Sequence, residues 1–311
     1  MKVVALAGGV GGAKLVDGLA AVLPAGDLTV IVNTGDDFEH LGLNISPDLD
    51  TVMYTLAGLA NPETGWGRAD ESWAFLETFE TLGGPTWFRL GDRDLALHME
   101  RTRRLRKGET LSHVTAELSE RLGIFVPILP MSDEPVRTMV HTDEGELAFQ
   151  EYFVARACEP VVRGFEFRGA DTAAPAPGVS RALEAADVVI FCPSNPWVSL
   201  DPILAVPGLG AAVQARPTIG ISSIVGGNAI KGPAAKMYAE LGVEPSALAV
   251  AQHYSGLDAF VIDAVDAEQM EAIRSIGMQP FVTNTVMDSG QARRRLAQEV
   301  LEFVGELELA L

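Results

Sequence analysis

The stretch that most constrains this chain is its opening, Met1 to Leu19. Lys2-Val3-Val4-Ala5-Leu6-Ala7 is a short apolar run with β-branched residues, the pattern of a strand buried on both faces. It breaks into Gly8-Gly9-Val10-Gly11-Gly12-Ala13-Lys14, after which Leu15, Val16 and Leu19 recur at helical spacing. A strand, a glycine turn and a helix start make an anion site. Glycine lets the backbone approach a phosphate, and the first N–H groups of the helix point at it with the dipole behind them. The run departs from the dinucleotide fingerprint, because Gly9-x-Gly11 lacks the third glycine and carries Lys14 in its place. It is no Walker loop either, since Lys14 follows Gly11 after two residues and precedes Leu15. A phosphate or nucleotide cradle at Gly8, Gly9, Gly11, Gly12 and Lys14 is the functional reading. A turn that only packs a helix on a sheet is the alternative.

The same rhythm continues. Leu28–Asn33 reads as a second buried strand, ending in Thr34-Gly35-Asp36-Asp37, where an open parallel sheet places its ligands. These acids suit a ribose or Mg²⁺ contact, or else a turn. Ser46-Pro47-Asp48-Leu49-Asp50 reads as a helix start with Ser46 as N-cap and acids in the first turn. Two positions on a helix are about 200° apart, so Asp48 and Asp50 are not expected to face one pocket. Later buried strands are Ile124–Leu129, Asp187–Cys192, Thr218–Ser222, Phe260–Asp263 and Pro280–Thr283, with Arg293–Val304 as a closing helix. Thr138–Thr142 and Leu147–Val154 read as a hairpin around Asp143-Glu144-Gly145. The fold class is therefore α/β, a Rossmann-like, mostly parallel sheet with helices on both faces and a small β-hairpin region. Residues 1–311 are read as one such domain, with a mainly helical insertion at about 55–122. The insertion holds Trp66, Trp73 and Trp87 with Phe75, Phe79 and Phe88, aromatics expected to serve packing more often than ligand stacking. Arg101, Arg103, Arg104, Arg106 and Lys107 form its positive run, either a solvated face or a binding surface. Arg89 and Arg93 flank a glycine turn, and arginine suits bidentate contacts to phosphate or carboxylate.

A net charge of −19 argues against nucleic acid or an anionic membrane as partner. No apolar run is long enough to span a bilayer, and Cys158 and Cys192 stand alone, which together fit the reducing cytoplasm. The five histidines are scattered without metal-ligand spacing, and no G-x-S-x-G elbow is present. What remains is a set of acids (Asp36, Asp37, Asp48 or Asp50, Asp92) with glycine loops and a few bases, the way phosphate–Mg²⁺ chemistry is assembled.

Taken in order, these segments resemble the 2-phospho-L-lactate transferase family (CofD/FbiA-like) of coenzyme F-420 biosynthesis. The resemblance rests on Gly8–Lys14, Asn33–Asp37, Ser46–Tyr54, Leu90-Gly91-Asp92-Arg93-Asp94, Leu129–Asp133, Pro193-Ser194-Asn195-Pro196 and Lys231-Gly232-Pro233-Ala234. It implies transfer of a phospholactyl or phosphoenolpyruvyl group from a guanosine-diphosphate adduct to the ribityl hydroxyl of the deazaflavin Fo, releasing GMP. It implies Mg²⁺ as cofactor, small-molecule substrates and a homodimer. Carried over by motif, Asp50 and Asp36 are catalytic and near the metal, and Asp50, Arg89, Asp92 and Arg93 lie on the Fo side. The glycine loop meets the phosphates, with Ser194 and Asn195 toward the nucleotide. Two other readings compete with it, a YvcK-like nucleotide-sugar-binding regulator without catalysis and a nicotinamide-dependent oxidoreductase.

Overall fold

Val3–Ala7 (β1) lies at the middle of a parallel sheet in the computed structural model, which describes residues 1–307. Residues 308–311, the end of the expected 1–311 domain, lie outside it. Across the sheet the strands run Gln279–Thr283, Ala259–Asp263, Thr218–Ile221, Val188–Phe191, β1, Leu28–Val32 (β2) and Ile128–Pro130. All their pairings are parallel. The chain thus leaves β1 toward one edge, then returns to its other side to build the rest, which is the doubly wound order. Where the direction reverses, β1 pairs Val3 with Leu28 on one flank and with Val188 on the other. The loops after β1 and after Val188–Phe191 diverge there and leave a crevice.

Both faces are covered, as the unbroken apolar strands require. Val3, Ala5 and Ala7 join one core cluster with Gly9–Val22 (α1), Pro47–Leu56 (α2) and the closing helix Gly290–Glu306. Val4 and Leu6 join the opposite one with Leu183, Val213, Tyr238 and Ile273. Between α2 and the edge strand Ile128–Pro130 stand Ala74–Thr81 (α3), Asp92–Leu105 (α4) and Leu111–Arg121 (α5). The aromatics of this region are not core residues. Trp66 is 53% exposed, and Phe75 and Phe79 stack on each other at the surface. The positive run divides instead of forming one face, with Arg101 and Arg104 buried and Arg103 exposed.

Two expectations fail around the hairpin. Its second strand ends at Ala148, and Glu151–Ala155 continues as a π-helix, because Phe149, Tyr152 and Phe153 recur at helical spacing and bring the Phe149 and Phe153 rings into a stack. Val162–Arg168, unanticipated, supplies the third strand of this antiparallel sheet. Further along, Ile124 precedes the edge strand instead of opening it, and that strand keeps only Ile128–Pro130.

Gly11, in the first turn of α1, is where the two crevice loops press together. A Cβ there would lie 2.1 Å from the Pro193 carbonyl oxygen, well inside contact distance. Gly11→Ala must push α1 from the Pro193 loop, and we expect a loss of about 1–3 kcal/mol. Urea unfolding should show it as a lowered midpoint at constant slope. An unchanged midpoint would mean that the loop yields freely.

Candidate active site

The crevice opens into a cavity of about 910 Å³ whose lining includes Gly8, Gly9, Gly11, Lys14, Asp36, Asp48 and Asp50. Its floor is the glycine loop. Gly9 sits at φ +62°, in the left-handed region that glycine adopts without strain, so the chain turns sharply from β1 into α1. Two side chains hold the loop. Asp48 Oδ1 accepts from the Gly9 N–H at 2.7 Å, and Ser194 Oγ donates to the Gly8 carbonyl at 2.8 Å. Ser194 and Asn195 line the cavity at its other loop, where Asn195 caps its own turn through the Trp197 N–H. Gly12 is the exception among the expected cradle residues. It is buried against Ala7 and Ser194, away from the lining, so the packing alternative holds for this glycine.

Asn33, at the end of β2, organises the acids. Its side-chain amide donates to Asp36 Oδ1 at 2.5 Å, Asp48 Oδ2 at 2.9 Å and the Val198 carbonyl at 3.0 Å. Gln150 donates to the other Asp36 oxygen at 3.2 Å. Burial, followed by the nearby charges of Asp48 and Asp37, raises the Asp36 carboxyl well above the usual range. Burial raises Asp48 likewise. Asp37 is pushed up to about 7 by burial, against Arg137 and a hydrogen bond from Ser46. That bond is why Ser46, although at the N-cap of α2, leaves the helix uncapped by its side chain: its hydroxyl donates to Asp37 at 2.7 Å.

Contrary to the angular argument, Asp48 and Asp50 both line the cavity. Pro47, Asp50, Thr51 and Tyr54 bring one side of α2 along the cavity, and Asp48, in the first turn, reaches it where the glycine loop passes the helix start. Asp48 turns to the glycine loop, and Asp50 turns to α4. There both Asp50 oxygens accept from the guanidinium of Arg101, which is wholly buried. His98 Nδ1 lies 3.6 Å from Asp50 Oδ2, and Nε2 lies 3.2 Å from Asp94, which also accepts from the Tyr54 hydroxyl at 2.5 Å. Arg89 lines the cavity with its guanidinium 4.4 Å over the Trp73 ring, and Phe88 and Trp66 are also lining residues. The structure does not bring Asp92 or Arg93 to this cavity. The Asp92 carboxylate accepts from the N–H groups of Ala74 and Phe75 and so caps α3, while Arg93 is exposed on the outer face of α4. Both sit in the first turn of α4, and its inward neighbours are Asp94 and His98. Sequence reasoning missed Asn33, Asp94, His98 and Arg101. The helical spacing of Asp94, His98 and Arg101 was the available signal.

A hard divalent cation fits this donor set. Asp36 and Asp48 are buried acids held together by one amide. Both oxygens of Asp36, Asp48 and Asp50 already accept hydrogen bonds, so each acid offers a cation its remaining lone pairs. Among the described residues, a cluster of three potential ligands occurs at His141, Glu146 and Glu166 on the antiparallel sheet, outside the cavity. The cavity acids therefore offer part of a coordination shell, the arrangement used by Mg²⁺ when phosphate and water complete it.

Comparison with known proteins agrees with this architecture. The family model for 2-phospho-L-lactate transferase CofD matches residues 3–301. A phosphoenolpyruvate transferase of Streptomyces avermitilis is 46% identical over 317 residues, covering 99% of each chain. A 2-phospho-L-lactate transferase of Methanopyrus kandleri is 40% identical over 310 residues, again covering 99% of each. A crystal structure of a UPF0052 family member from Bacillus halodurans covers 96% of this chain and 98% of its own with a TM-score of 0.62; at 15% identity it shows the fold alone. Among the described residues, no helix is long and apolar enough to cross a membrane.

The acid cluster gives stability a definite pH dependence. With Asp37 near 7 in the folded state against an ordinary value of 3.8, the folded chain binds more protons than the unfolded one between those limits. Stability should therefore fall as pH rises from about 4 to 7, and then level off. Urea titrations at both ends, without metal and with added Mg²⁺, measure this. Mg²⁺ should stabilise the protein most at the upper end, and a flat profile would show that the acids are not raised.

Proposed function

Because the chain belongs to the 2-phospho-L-lactate transferase CofD family, a family of transferases, we propose that it moves a phosphoenolpyruvyl or phospholactyl group from a guanosine-diphosphate adduct to the ribityl hydroxyl of the deazaflavin Fo, in coenzyme F-420 biosynthesis. The observation that carries this reading is the switch-point cavity, which joins a glycine cradle to buried acids in one space. We take the enolpyruvyl adduct as donor, since relatives named phosphoenolpyruvate transferase reach 46% identity and those named 2-phospho-L-lactate transferase 40%.

Such a transfer needs little covalent help from protein, only in-line positioning and compensation of charge. The N–H groups opening α1 beyond Gly9, whose own N–H is held by Asp48, receive the diphosphate. Ser194 and Asn195 face the nucleotide. Asp50, held rigidly by Arg101, accepts the hydrogen bond of the attacking hydroxyl and fixes its approach. Arg89, braced on Trp73, borders the deazaflavin, for which Phe88 and Trp66 offer apolar ring surface. Asp36 and Asp48 would hold Mg²⁺, whose part is to offset the charge of the diphosphate and of the leaving GMP. The hydroxyl oxygen forms the new P–O bond and releases its proton to solvent, and the electron pair of the broken P–O bond stays on the GMP phosphate. We infer a homodimer, since exposed Phe75, Leu82 and Trp87 provide apolar surface of the kind subunits cover.

Purified protein with Fo, Mg²⁺ and the enolpyruvyl, lactyl or glyceryl adduct should release GMP and form a new F-420 species by mass, fastest with the enolpyruvyl donor. No product with any adduct overturns the proposal. Asp50→Asn should lower kcat at least about 100-fold while GDP still binds. It should also cost stability, because it strips Arg101 of its charge partner in a buried site.

A further inference from the structure

Lys231-Gly232-Pro233 has no part in the mechanism above, yet it lines the cavity. Lys231 is exposed, and its ammonium reaches only a long contact, 3.4 Å, to the Thr64 carbonyl on the facing loop. Its neighbour across the cavity wall is Lys14. Burial first, then the charges of Arg293 and Lys231, pull the Lys14 ammonium below the ordinary lysine range, with Asp288 opposing them. Lys14 and Lys231 thus face each other's charge in a cavity that also carries Asp36, Asp48, Asp50 and Asp94, with Asp288 as the acid beside Lys14. On the loop leading to Lys231, Ser223 is a lining residue of the cavity, and its hydroxyl oxygen is buried and meets no hydrogen-bond partner among the described residues. Converging like charges and an unsatisfied donor describe a place built for an anion.

We propose that Lys231, with Lys14 and Ser223, binds the carboxylate of the three-carbon acid carried by the donor, and so reads the acid half of that molecule. The inference rests on the function proposed above. It follows from the supply of groups for each negative charge. The diphosphate has the N–H groups of α1 and the cation site at Asp36 and Asp48. Arg89 is committed to Trp73 on the insertion. The carboxylate is the donor's remaining anion, and of the lysines and arginines among the described lining residues Lys14 and Lys231 are left to receive it. A carboxylate there relieves the repulsion between Lys14 and Lys231 and gives the Ser223 hydroxyl an acceptor. Lys231 stands on an exposed loop, so replacing it leaves the sheet intact.

Calorimetric titration of the full chain with Mg²⁺, using GDP and the enolpyruvyl–GDP adduct as probes, tests this. Lys231→Ala should raise Kd for the adduct about tenfold or more and leave Kd for GDP within about twofold. Lys231→Arg should recover most of the loss. In turnover the same substitution should raise KM for the adduct with kcat nearly unchanged at saturation. An unchanged Kd for the adduct overturns the proposal. An equal loss for GDP also overturns it, since Lys231 would then serve a phosphate. A wild-type protein that binds the adduct no better than GDP overturns it as well. Failure of the function itself looks different: wild-type protein would release no GMP, whatever Lys231 does to binding.

Discussion

The structure depends on a single close approach. The glycine turn after β1 and the loop after Val188–Phe191 touch at backbone level, with Gly11 against the Pro193 carbonyl and Ser194 bonded to Gly8. A side chain at Gly11 would part them. The doubly wound order opens a crevice at this point, and the absence of Cβ atoms keeps its floor narrow enough for helix N–H groups to reach a ligand. Everything else in the cavity is arranged above that floor.

What is arranged there is an excess of buried negative charge. Each acid has a different means of support. Asp36 and Asp48 share the Asn33 amide, Asp37 takes the Ser46 hydroxyl, Asp50 takes the Arg101 guanidinium, and Asp94 takes Tyr54. A fold gains nothing from burying like charges together, so the arrangement serves ligands and is maintained at a cost in stability. Family membership and the transfer reaction proposed for the chain give it a purpose: the acids match a cation and a hydroxyl, and Lys14 and Lys231 match anions.

Much of this was legible in the sequence, because the signals were local. Continuous apolar strands, each followed by glycine or acid turns, dictated a parallel sheet, and the loops at its carboxyl edge identified Gly9, Asp36, Asp50 and Ser194 as cavity residues. What was not legible depended on direction in three dimensions. Asp48 and Asp50 were treated as opposite sides of a helix, an argument that left out the glycine loop, which passes the helix start and brings Asp48 to the cavity while Asp50 turns to α4. Asp92 and Arg93 were chosen from a motif whose inward members are Asp94, His98 and Arg101, since a letter pattern does not state which turn of α4 faces in. The second hairpin strand stops at Ala148 and its expected continuation to Val154 gives way to a π-helix, because Phe149, Tyr152 and Phe153 satisfy helical spacing as well as hydrophobicity. Arg101 shows the same gap: inside a run of cations it read as part of a solvated face or of a binding surface, and its burial follows only from the partner that α2 presents.

The short helix α2 carries one further consequence. Ten residues of α-helix form a strut about 15 Å long. At one end of it, two carboxylates two residues apart grip different bodies: Asp48 the glycine turn of the sheet, Asp50 the buried guanidinium of α4. The strut is therefore a joint between the sheet and the inserted helices. A displacement of α4 by a ring entering beside Arg89 is a displacement of Asp50, and the same rigid turn hands it to Gly9. The wall beside Arg89 and the glycine floor of the cavity are mechanically one part.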